Sequence, residues 1–335
     1  MRKLCFALLS VLFLVGLAYD SFAQFNRKAI KRNNKNIANY RGKKGGFGKR
    51  NVYTGIGFSV NALNYFGDLA PTPSTFSTDI SFTAPSIGLS AFHRFGPRYT
   101  LQVQYLYASL QGSDKESASK DDENVFRYQR NLSFRNRMHE LSAVAYFDLF
   151  ENQATYISRV GWTPYAYIGL AAFYHNPQAK APANELDGVT SLAEAGQWVD
   201  LQPLKTEGNS YSLIQFAVPF GAGARFRINE VFDLWADIGF RYTFTDYLDD
   251  VSGNYVDLNT LSTLGQAMAY RTNELAGYPT PGLSIPSELA GVNVQAGYGR
   301  AGDQRGSPKQ NDIYMVTSIR LTYILGATFH KAKFR

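Results

Sequence analysis

In the segment 231–247, apolar side chains recur at every second position from Phe232 to Phe244, and most of the side chains between them are polar. This alternation is the strongest indication of the fold in the sequence. A strand turns successive side chains to opposite faces. One face of the segment would carry Phe232, Leu234, Ala236, Ile238, Phe240, Tyr242 and Phe244. The other face would carry Asp233, Trp235, Asp237, Gly239, Arg241, Thr243 and Thr245. Further segments alternate in the same way, so we predict an all-β chain of about eight strands; they lie at 52–66, 86–95, 98–110, 138–150, 164–174, 213–228 and 312–325.

The lengths of the connections indicate how these strands are joined. The second and third segments are joined by a tight turn at Gly96 and Pro97, and the sixth and seventh by Asn229 and Glu230. The fourth and fifth segments are joined by the moderately long stretch 151–163. The other connections are much longer, at 69–85, 111–137, 175–212 and 248–311. Short and long connections therefore alternate, as in an up-and-down barrel with short periplasmic turns and long extracellular loops.

Periodicity alone leaves a soluble β protein and a membrane barrel open. A soluble strand buries its apolar face, whereas a transmembrane barrel turns that face to lipid and the polar face to its lumen. The one-sided long loops favour the membrane, because a soluble barrel has less reason for them. We therefore predict an eight-stranded antiparallel up-and-down transmembrane β-barrel with long extracellular loops over residues 52–326. The predicted location is the outer membrane, as an integral protein with both termini in the periplasm.

The first residues carry the signals of export. Arg2 and Lys3 precede an apolar run, and the small residues Ser21 and Ala23 fit a cleavage site. We interpret residues 1–23 as a signal peptide, since the apolar run is shorter than the roughly 20 residues of a spanning helix. No later stretch is long and apolar enough to span a membrane as a helix. A mature chain that enters a membrane must therefore form a closed barrel.

Positive charge is concentrated in the segment that follows the signal peptide. Residues 24–51 contain ten basic residues and no acidic residue. Such a segment cannot bury a core, so we expect a flexible periplasmic tail. A short basic C-terminal tail is expected at 327–335. The cations of the first tail are predicted to contact a partner or outer-membrane lipid, with a solvated spacer as the alternative; they are Arg27, Lys28, Lys31, Arg32, Lys35, Arg41, Lys43, Lys44, Lys49 and Arg50.

The polar faces of the predicted strands carry charges that a barrel would enclose. An eight-stranded barrel is only wide enough for side chains to fill, and unpaired charges there would be costly. We therefore predict a packed network of ion pairs in the lumen, in preference to an ion path. Its predicted members are Arg94, Asp148, Arg225, Arg227, Asp233, Asp237, Arg241 and Arg320.

The chain shows no pattern of catalytic or metal-binding residues. Its single cysteine, Cys5, lies in the predicted signal peptide, and no two histidines have metal-ligand spacing. The neighbours His139 and Glu140 are interpreted as a pair at the barrel rim, and His175 is a rim residue without an assignable partner. The acidic residues after the seventh segment do not have the spacing of a calcium-binding loop; they are Asp246, Asp249, Asp250 and Asp257. We therefore predict no enzyme activity and no cofactor.

Two blocks of the sequence are distinctive. The first is 240–257, FRYTFTDYLDDVSGNYVD, and the second is 302–312, GDQRGSPKQND, which precedes Tyr314. Together with NYFGDL at 64–69, these blocks resemble the outer-membrane barrel family of Bacteroidetes that includes PorG of the type IX secretion system. The resemblance extends over most of the chain after the predicted signal peptide.

The resemblance implies a non-enzymatic component of protein secretion and, in gliding bacteria, of gliding motility. It implies anchoring or capping of a periplasmic ring built from the lipoprotein PorK and its partner PorN, called GldK and GldN in gliding bacteria. Outer-membrane lipids are further expected partners, and no nucleic acid is expected in this compartment. The alternatives are a small outer-membrane porin or surface adhesin, and a weaker third is a barrel enzyme that acts on lipid.

Overall fold

The computed structural model describes residues 52–69, 83–118, 125–152, 156–275, 299–308 and 310–325. The predicted signal peptide at 1–23, the basic tail at 24–51 and the C-terminal tail at 327–335 lie outside these residues. The described strands are β1 (Tyr53–Phe66), β2 (Ala84–Arg94), β3 (Tyr99–Ser113), β4 (Ser133–Asp148), β5 (Trp162–Lys180), β6 (Trp198–Asp200), β7 (Ile214–Arg227), β8 (Phe232–Thr243) and β9 (Ile313–Leu325).

Eight of these strands form one closed antiparallel barrel. Each barrel strand pairs with its neighbour along the chain, and β1 pairs with β9 to complete the circle. The short strand β6 pairs only with β5, above the barrel wall. The prediction of an eight-stranded antiparallel up-and-down barrel is therefore confirmed.

Side chains alternate between the interior and the outer surface on every barrel strand. On β8, Asp233, Trp235 and Asp237 are buried in the interior. The next residue, Ile238, is 53% exposed on the outer surface. Large apolar residues are exposed all round the barrel, up to 71% at Leu170. A closed barrel has no unpaired strand edges, so its surrounding apolar belt can face hydrocarbon. The inside-out pattern identifies a membrane-spanning barrel rather than a soluble one.

The two ends of the barrel differ in their connections. We call one the turn end, where neighbouring strands are joined by 95–98, 149–161 and 228–231. The other is the loop end, which carries the long connections 67–83, 114–132, 181–213 and 244–312. The first and last barrel residues, Tyr53 and Leu325, both lie at the turn end.

Short helices lie in the long connections at the loop end. They are α1 (Asp114–Ser117), α2 (Val125–Arg130) and α3 (Thr263–Ala269). Single 3₁₀ turns occur at Tyr156–Ser158, Gln202–Leu204, Leu258–Thr260 and Thr272–Glu274. Within the described ranges, no helix is long and apolar enough to cross a membrane.

Three strands extend by three or more residues beyond their predicted ends at the loop end. β3 continues to Ser113, β4 begins at Ser133, and β5 continues to Lys180. In these extensions polar residues such as Gln111 and Arg135 lie opposite each other on the outer face. The extensions therefore lack the apolar face that marks the hydrocarbon-crossing part of a strand, although their backbone pairing continues.

Two glycines allow an aromatic ring to lie against the inner wall. Tyr167 of β5 projects inward over Gly221 of β7 and Gly239 of β8. A Cβ atom on Gly221 would lie 2.8 Å from Tyr167 Cζ, and one on Gly239 would overlap the Tyr167 hydroxyl. Only residues without a side chain permit this close approach.

Substituting Gly239→Ala is expected to destabilise the barrel by about 1–3 kcal/mol, because the added methyl overpacks the wall against Tyr167. The urea midpoint of the barrel folded in lipid vesicles measures this loss. The same substitution in a Tyr167→Leu background should cost less, because the clashing hydroxyl is gone. Equal losses in the two backgrounds would show that Tyr167 is not the reason for the glycine.

Candidate functional site

The lumen at the turn end contains one carboxylate shared by two arginines. Asp148 Oδ2 lies 2.6 Å from Arg94 Nη1 and 2.5 Å from Arg225 Nη2. All three side chains are buried. The Arg225 guanidinium also lies 5.0 Å from the ring centroid of Trp235, which offers a cation–π contact to the excess positive charge. We call Arg94, Asp148 and Arg225 the turn-end triad.

Arg159 closes the same end from the connection between β4 and β5. Its guanidinium pairs with the Asp233 carboxylate at 2.6 Å. It also donates hydrogen bonds to the backbone carbonyls of Asn229, Glu230 and Phe232. Arg159 was not predicted as a lumen residue, because it lies outside the alternating segments from which inward faces can be predicted.

Arg227 is placed differently from the other charges predicted in the lumen. Its side chain is half-buried at the rim of the turn end. It donates hydrogen bonds to the backbone carbonyls of Asn229 and Arg159. Among the described residues it forms no ion pair with the lumen acids, since Arg159 occupies the Asp233 carboxylate. The structure therefore brings seven of the eight predicted charges into the lumen and leaves Arg227 outside its network.

The middle of the lumen is filled by aromatic rings. Trp235 is fully buried, with ring centroids 5.2 Å from Tyr165 and 5.3 Å from Tyr146. The hydroxyls of Tyr165 and Tyr167 donate to the Asp237 carboxylate at 2.9 and 3.3 Å. These rings fill the cross-section that an eight-stranded barrel encloses.

The remaining predicted charges pair across the same layer. Arg320 lies 3.7 Å from Asp237, and Arg241 lies 3.5 Å from Glu140. The Tyr314 hydroxyl donates to Glu140 at 2.7 Å. Removing one partner of a buried ion pair is strongly destabilising, because the other charge stays buried without compensation.

Glu140 was predicted as a rim neighbour of His139, and this interpretation is corrected by the strand geometry. Successive residues of β4 point to opposite faces, so Glu140 is buried in the lumen and His139 is exposed on the outer face. His139 Nδ1 lies 2.7 Å from the Tyr105 hydroxyl on the outer surface. Every second residue of β4 points inward, and Glu140 and Asp148 are an even number of positions apart. This spacing would have placed Glu140 in the lumen together with Asp148.

The loop-end part of the lumen is apolar. Leu248 and Val251, from the connection between β8 and β9, pack among inward side chains of the barrel mouth. Their backbone is fixed by polar groups, because the Asn136 amide donates to the Leu248 carbonyl at 2.7 Å and Asp312 accepts from its N–H at 2.8 Å. We call this group the apolar plug; its members include Leu63, Leu106, Leu110, Phe134, Met138, Phe173, Leu248 and Val251.

The long connections above the plug form an ordered unit that we call the loop cap, comprising 201–211, 244–257 and 299–308. Asn254 forms an antiparallel bridge with Gln304. The Arg305 guanidinium lies 2.8 Å from Glu207 and 3.6 Å from the Asp250 carboxylate. Asp250 also accepts a hydrogen bond from Tyr211 at 2.6 Å. Residues far apart in sequence are thus joined by buried, charge-assisted contacts.

Carboxyl groups in and beside the loop cap are enclosed without enough cations to neutralise them. Burial, and next the charge of Asp68, raises the pKa of Asp249 well above its ordinary value. Burial and then the charge of Asp249 do the same to the pKa of Asp312. Burial raises the pKa of Asp246 to about 7 against the opposing hydrogen bond of Ser252. Within the described part of the chain, no three acidic, histidine or cysteine residues are grouped as a metal site.

The stability of the barrel is expected to fall as pH rises from 5 to 8. The folded chain retains a proton on Asp246 that the unfolded chain has already lost, so each rise in pH favours unfolding until the folded pKa near 7 is passed. Urea midpoints at the two pH values measure the effect, and Asp246→Asn should reduce it. Asp187→Asn is the control, because hydrogen bonds from Thr190 and Val189 lower the pKa of this exposed carboxyl, which titrates below this window. An undiminished fall in the Asp246→Asn protein would contradict the assignment.

His175, the rim candidate for catalysis, is buried rather than open to substrate. Its Nε2 lies 3.2 Å from the Ser212 carbonyl, and its Nδ1 lies 3.4 Å from the Asn136 amide. Its ring stacks on Tyr211 at 6.2 Å. These contacts join β5 to the loop cap, and they bring no carboxylate to the imidazole.

The comparison with proteins of curated function finds no match. Among solved structures, the chain is similar to Neisserial surface protein A, with a TM-score of 0.37, 10% identity, and coverage of 81% of this chain and 96% of that chain. It is similar to Ail of Yersinia pestis, solved with the heparin analogue sucrose octasulfate, with a TM-score of 0.34, 8% identity, and coverage of 82% and 99%. It is also similar to OprG of Pseudomonas aeruginosa, with a TM-score of 0.33, 7% identity, and coverage of 83% and 97%.

The closed barrel, its apolar outer belt and the ion pairs enclosed in its lumen are the features of an integral outer-membrane β-barrel. A protein family described as a domain of unknown function, DUF6089, matches residues 49–267. The match begins before β1 and ends in α3, and it covers more than half of the chain. The chain therefore belongs to the DUF6089 family.

Proposed function

We propose that this barrel is a non-enzymatic component of the type IX protein secretion system, which anchors or caps the periplasmic ring of a PorK- or GldK-like lipoprotein and its PorN- or GldN-like partner. In this proposal the turn end faces the periplasm and the loop end faces outward. The basic tail at 24–51 contacts the ring proteins or the inner lipid surface.

The filled lumen is the observation that carries this proposal. The turn-end triad, the ring of Trp235 and the apolar plug occupy three successive layers of the interior. A barrel filled in this way offers no open route for solute along its axis. Its activity must then lie on its surfaces, as expected of a scaffold, and the small-porin alternative is disfavoured.

The loop cap gives further support. The two sequence blocks that carry the resemblance, 240–257 and 302–312, pair with each other in the cap. The Tyr255 N–H donates to the Asp303 carbonyl at 2.9 Å, and the Gly302 N–H donates to the Tyr255 carbonyl at 2.8 Å. The residues that resemble the secretion family therefore form one structural unit, although they lie near opposite ends of the long connection between β8 and β9.

The charge distribution supports the assignment of the inner face. The chain enters the barrel at the turn end through Tyr53, and the segment before it carries ten basic residues and no acid. Such a segment attracts acidic protein surfaces and anionic headgroups at short range. A ring partner is therefore expected at the turn end.

A mild-detergent pull-down of the tagged full-length protein from outer membranes, followed by mass spectrometry, tests the proposal. We expect stoichiometric recovery of the ring lipoprotein and its partner. A variant of equal length with the ten cations of the tail replaced by glutamine should recover less of both, with less dependence on salt. Recovery of the barrel alone from wild-type membranes would contradict the scaffold role.

A surface adhesin is the second candidate. The observation in its favour is the extension of β3, β4 and β5 beyond the apolar belt, with β6 added to β5 and Trp198 48% exposed. An ordered exposed sheet can bind an external partner by its face. If the protein is an adhesin, protease treatment of intact cells that removes the loop end should abolish surface attachment. The pull-down should then recover no ring proteins.

A further inference from the structure

Charge is almost absent from the outward faces of the barrel strands. On β1, β2, β3, β7, β8 and β9, no outward-facing residue is lysine, arginine, aspartate or glutamate. The outward cations of the barrel are Arg135 and Arg137 on β4 and Lys180 on β5. All three lie at the loop end on adjacent strands, since Arg135 pairs in register with Gln178. We call these three residues the cationic patch.

Arg135 is held in place by uncharged groups. Its guanidinium carbon lies 3.7 Å from the ring centroid of Trp198, and its Nη2 donates to Gln178 Oε1 at 2.7 Å. Arg137 is exposed two residues further along the same face. Among the described residues, no carboxylate lies within ion-pairing distance of either arginine. Within the described part of the chain, the two arginines of the patch are therefore not neutralised by a direct ion pair.

The position of the patch relates it to the membrane surface. Next to the patch, towards the middle of the barrel wall, one row of rings crosses β3, β4 and β5; it consists of Tyr107, His139 and Tyr174. The ring centroid of His139 lies 5.1 Å from that of Tyr107 and 6.4 Å from that of Tyr174. Beyond this row the outward residues are exposed apolar ones such as Leu141 and Leu170. Aromatic rows mark the headgroup level of a bilayer, so the cations lie where lipid phosphates lie.

Amide and hydroxyl groups lie around the cations, together with one exposed carboxylate on β6. Asn176 and Gln178 lie beside the arginines on β5, and both donate to the exposed Asp200 of β6, at 2.9 and 2.6 Å. Ser109 and Gln111 lie opposite Arg137 and Arg135 on β3. Amides, hydroxyls and an exposed indole suit a sugar, which offers hydroxyls and an apolar face, better than they suit a small glycerol headgroup.

We propose that the cationic patch binds a phosphorylated glycolipid of the outer leaflet. Arg135 and Arg137 bind its phosphate, because guanidinium groups recognise phosphate by paired charge-assisted hydrogen bonds. The amides and Trp198 contact its sugar, and its acyl chains lie over Leu141 and Leu170. The inference rests on the outward orientation of the loop end in the proposed function, and it does not depend on the secretion role.

Native mass spectrometry of the full-length protein, transferred from detergent containing defined lipids, tests the proposal. The probes are a diphosphorylated lipid A, its dephosphorylated form, and phosphatidylglycerol. We expect retention of the diphosphorylated glycolipid above both other lipids. The double variant Arg135→Gln, Arg137→Gln should retain it about tenfold less, as loss of charge-assisted bonds to one phosphate implies.

Arg98→Gln is the matched control. Arg98 also lies beside an aromatic ring, with its guanidinium carbon 5.7 Å from the Phe147 centroid, but at the turn end. This variant should retain the glycolipid as the wild type does, and all proteins should show the gel mobility of a folded barrel. Equal retention by the double variant would overturn the site. Phosphatidylglycerol retained as well as the glycolipid would overturn the choice of ligand. No ring protein is present in this experiment, so its outcome is independent of the pull-down.

Discussion

The substitution Asp148→Asn is expected to destabilise the barrel by about 3–5 kcal/mol. Asp148 is fully buried and is the shared ion-pair partner of Arg94 and Arg225. Asparagine preserves the shape but leaves two buried guanidinium groups without their counter-charge. The free energy lost by leaving the two charges uncompensated is larger than the net contribution of the original ion pairs, because nothing then offsets the desolvation of the arginines.

The urea midpoint of the protein refolded in lipid vesicles, followed by gel mobility, measures this effect. Asp187→Asn is the control, because Asp187 is exposed and should change the midpoint little. A triple variant with Arg94→Met, Asp148→Leu and Arg225→Met should recover most of the lost stability, because well-packed apolar groups can replace a buried ionic cluster. A small effect of Asp148→Asn alone would show that the turn-end triad is not what holds this end of the barrel.

The substitution Trp235→Ala is expected to cost about 3–5 kcal/mol through the loss of a fully buried indole. The ring contacts Phe92, Tyr146 and Tyr165 and lies between the guanidinium groups of Arg225 and Arg320. Its removal leaves a cavity and exposes two cations that its faces had partly compensated.

Trp162→Ala is the matched control for this substitution, because Trp162 is 40% exposed at the turn end. Its loss should cost much less than the loss of Trp235, as judged by the same urea titration. Trp235→Phe should fall between the two, since an aromatic ring remains but the hydrogen bond from Nε1 to the Thr322 hydroxyl at 3.1 Å is lost. Similar costs for Trp162→Ala and Trp235→Ala would contradict the described packing of the lumen.

The architecture of the barrel was predictable because two independent signals agree. Period-2 alternation gives the face on which each residue lies, as for Asp233 and Asp237 of β8. The alternation of short and long connections gives the antiparallel order of the strands. Neither signal depends on knowing which residues meet across the interior.

The contacts of residues across the lumen and the full lengths of the strands were not predictable in the same way. Alternation assigns Leu106 and Leu110 of β3 to the inner face, but it does not show that Leu248 from a distant loop packs on them to form the apolar plug. Arg159 lies in a turn without periodicity, yet it forms the ion pair of Asp233. The extensions of β4 and β5 lie outside the apolar belt, so hydrophobicity does not mark them. These features depend on contacts between segments far apart in sequence.

The side chains of the barrel close its lumen along the axis. Single-channel recording of the purified full-length protein in a planar lipid bilayer measures whether ions pass through this lumen. With insertion verified by recovery of folded barrel from the bilayer lipids, we predict a current indistinguishable from that of the bare bilayer across the applied voltages. Reproducible unitary conductance steps of fixed size would show an open path through the lumen, which the described packing of its side chains does not allow.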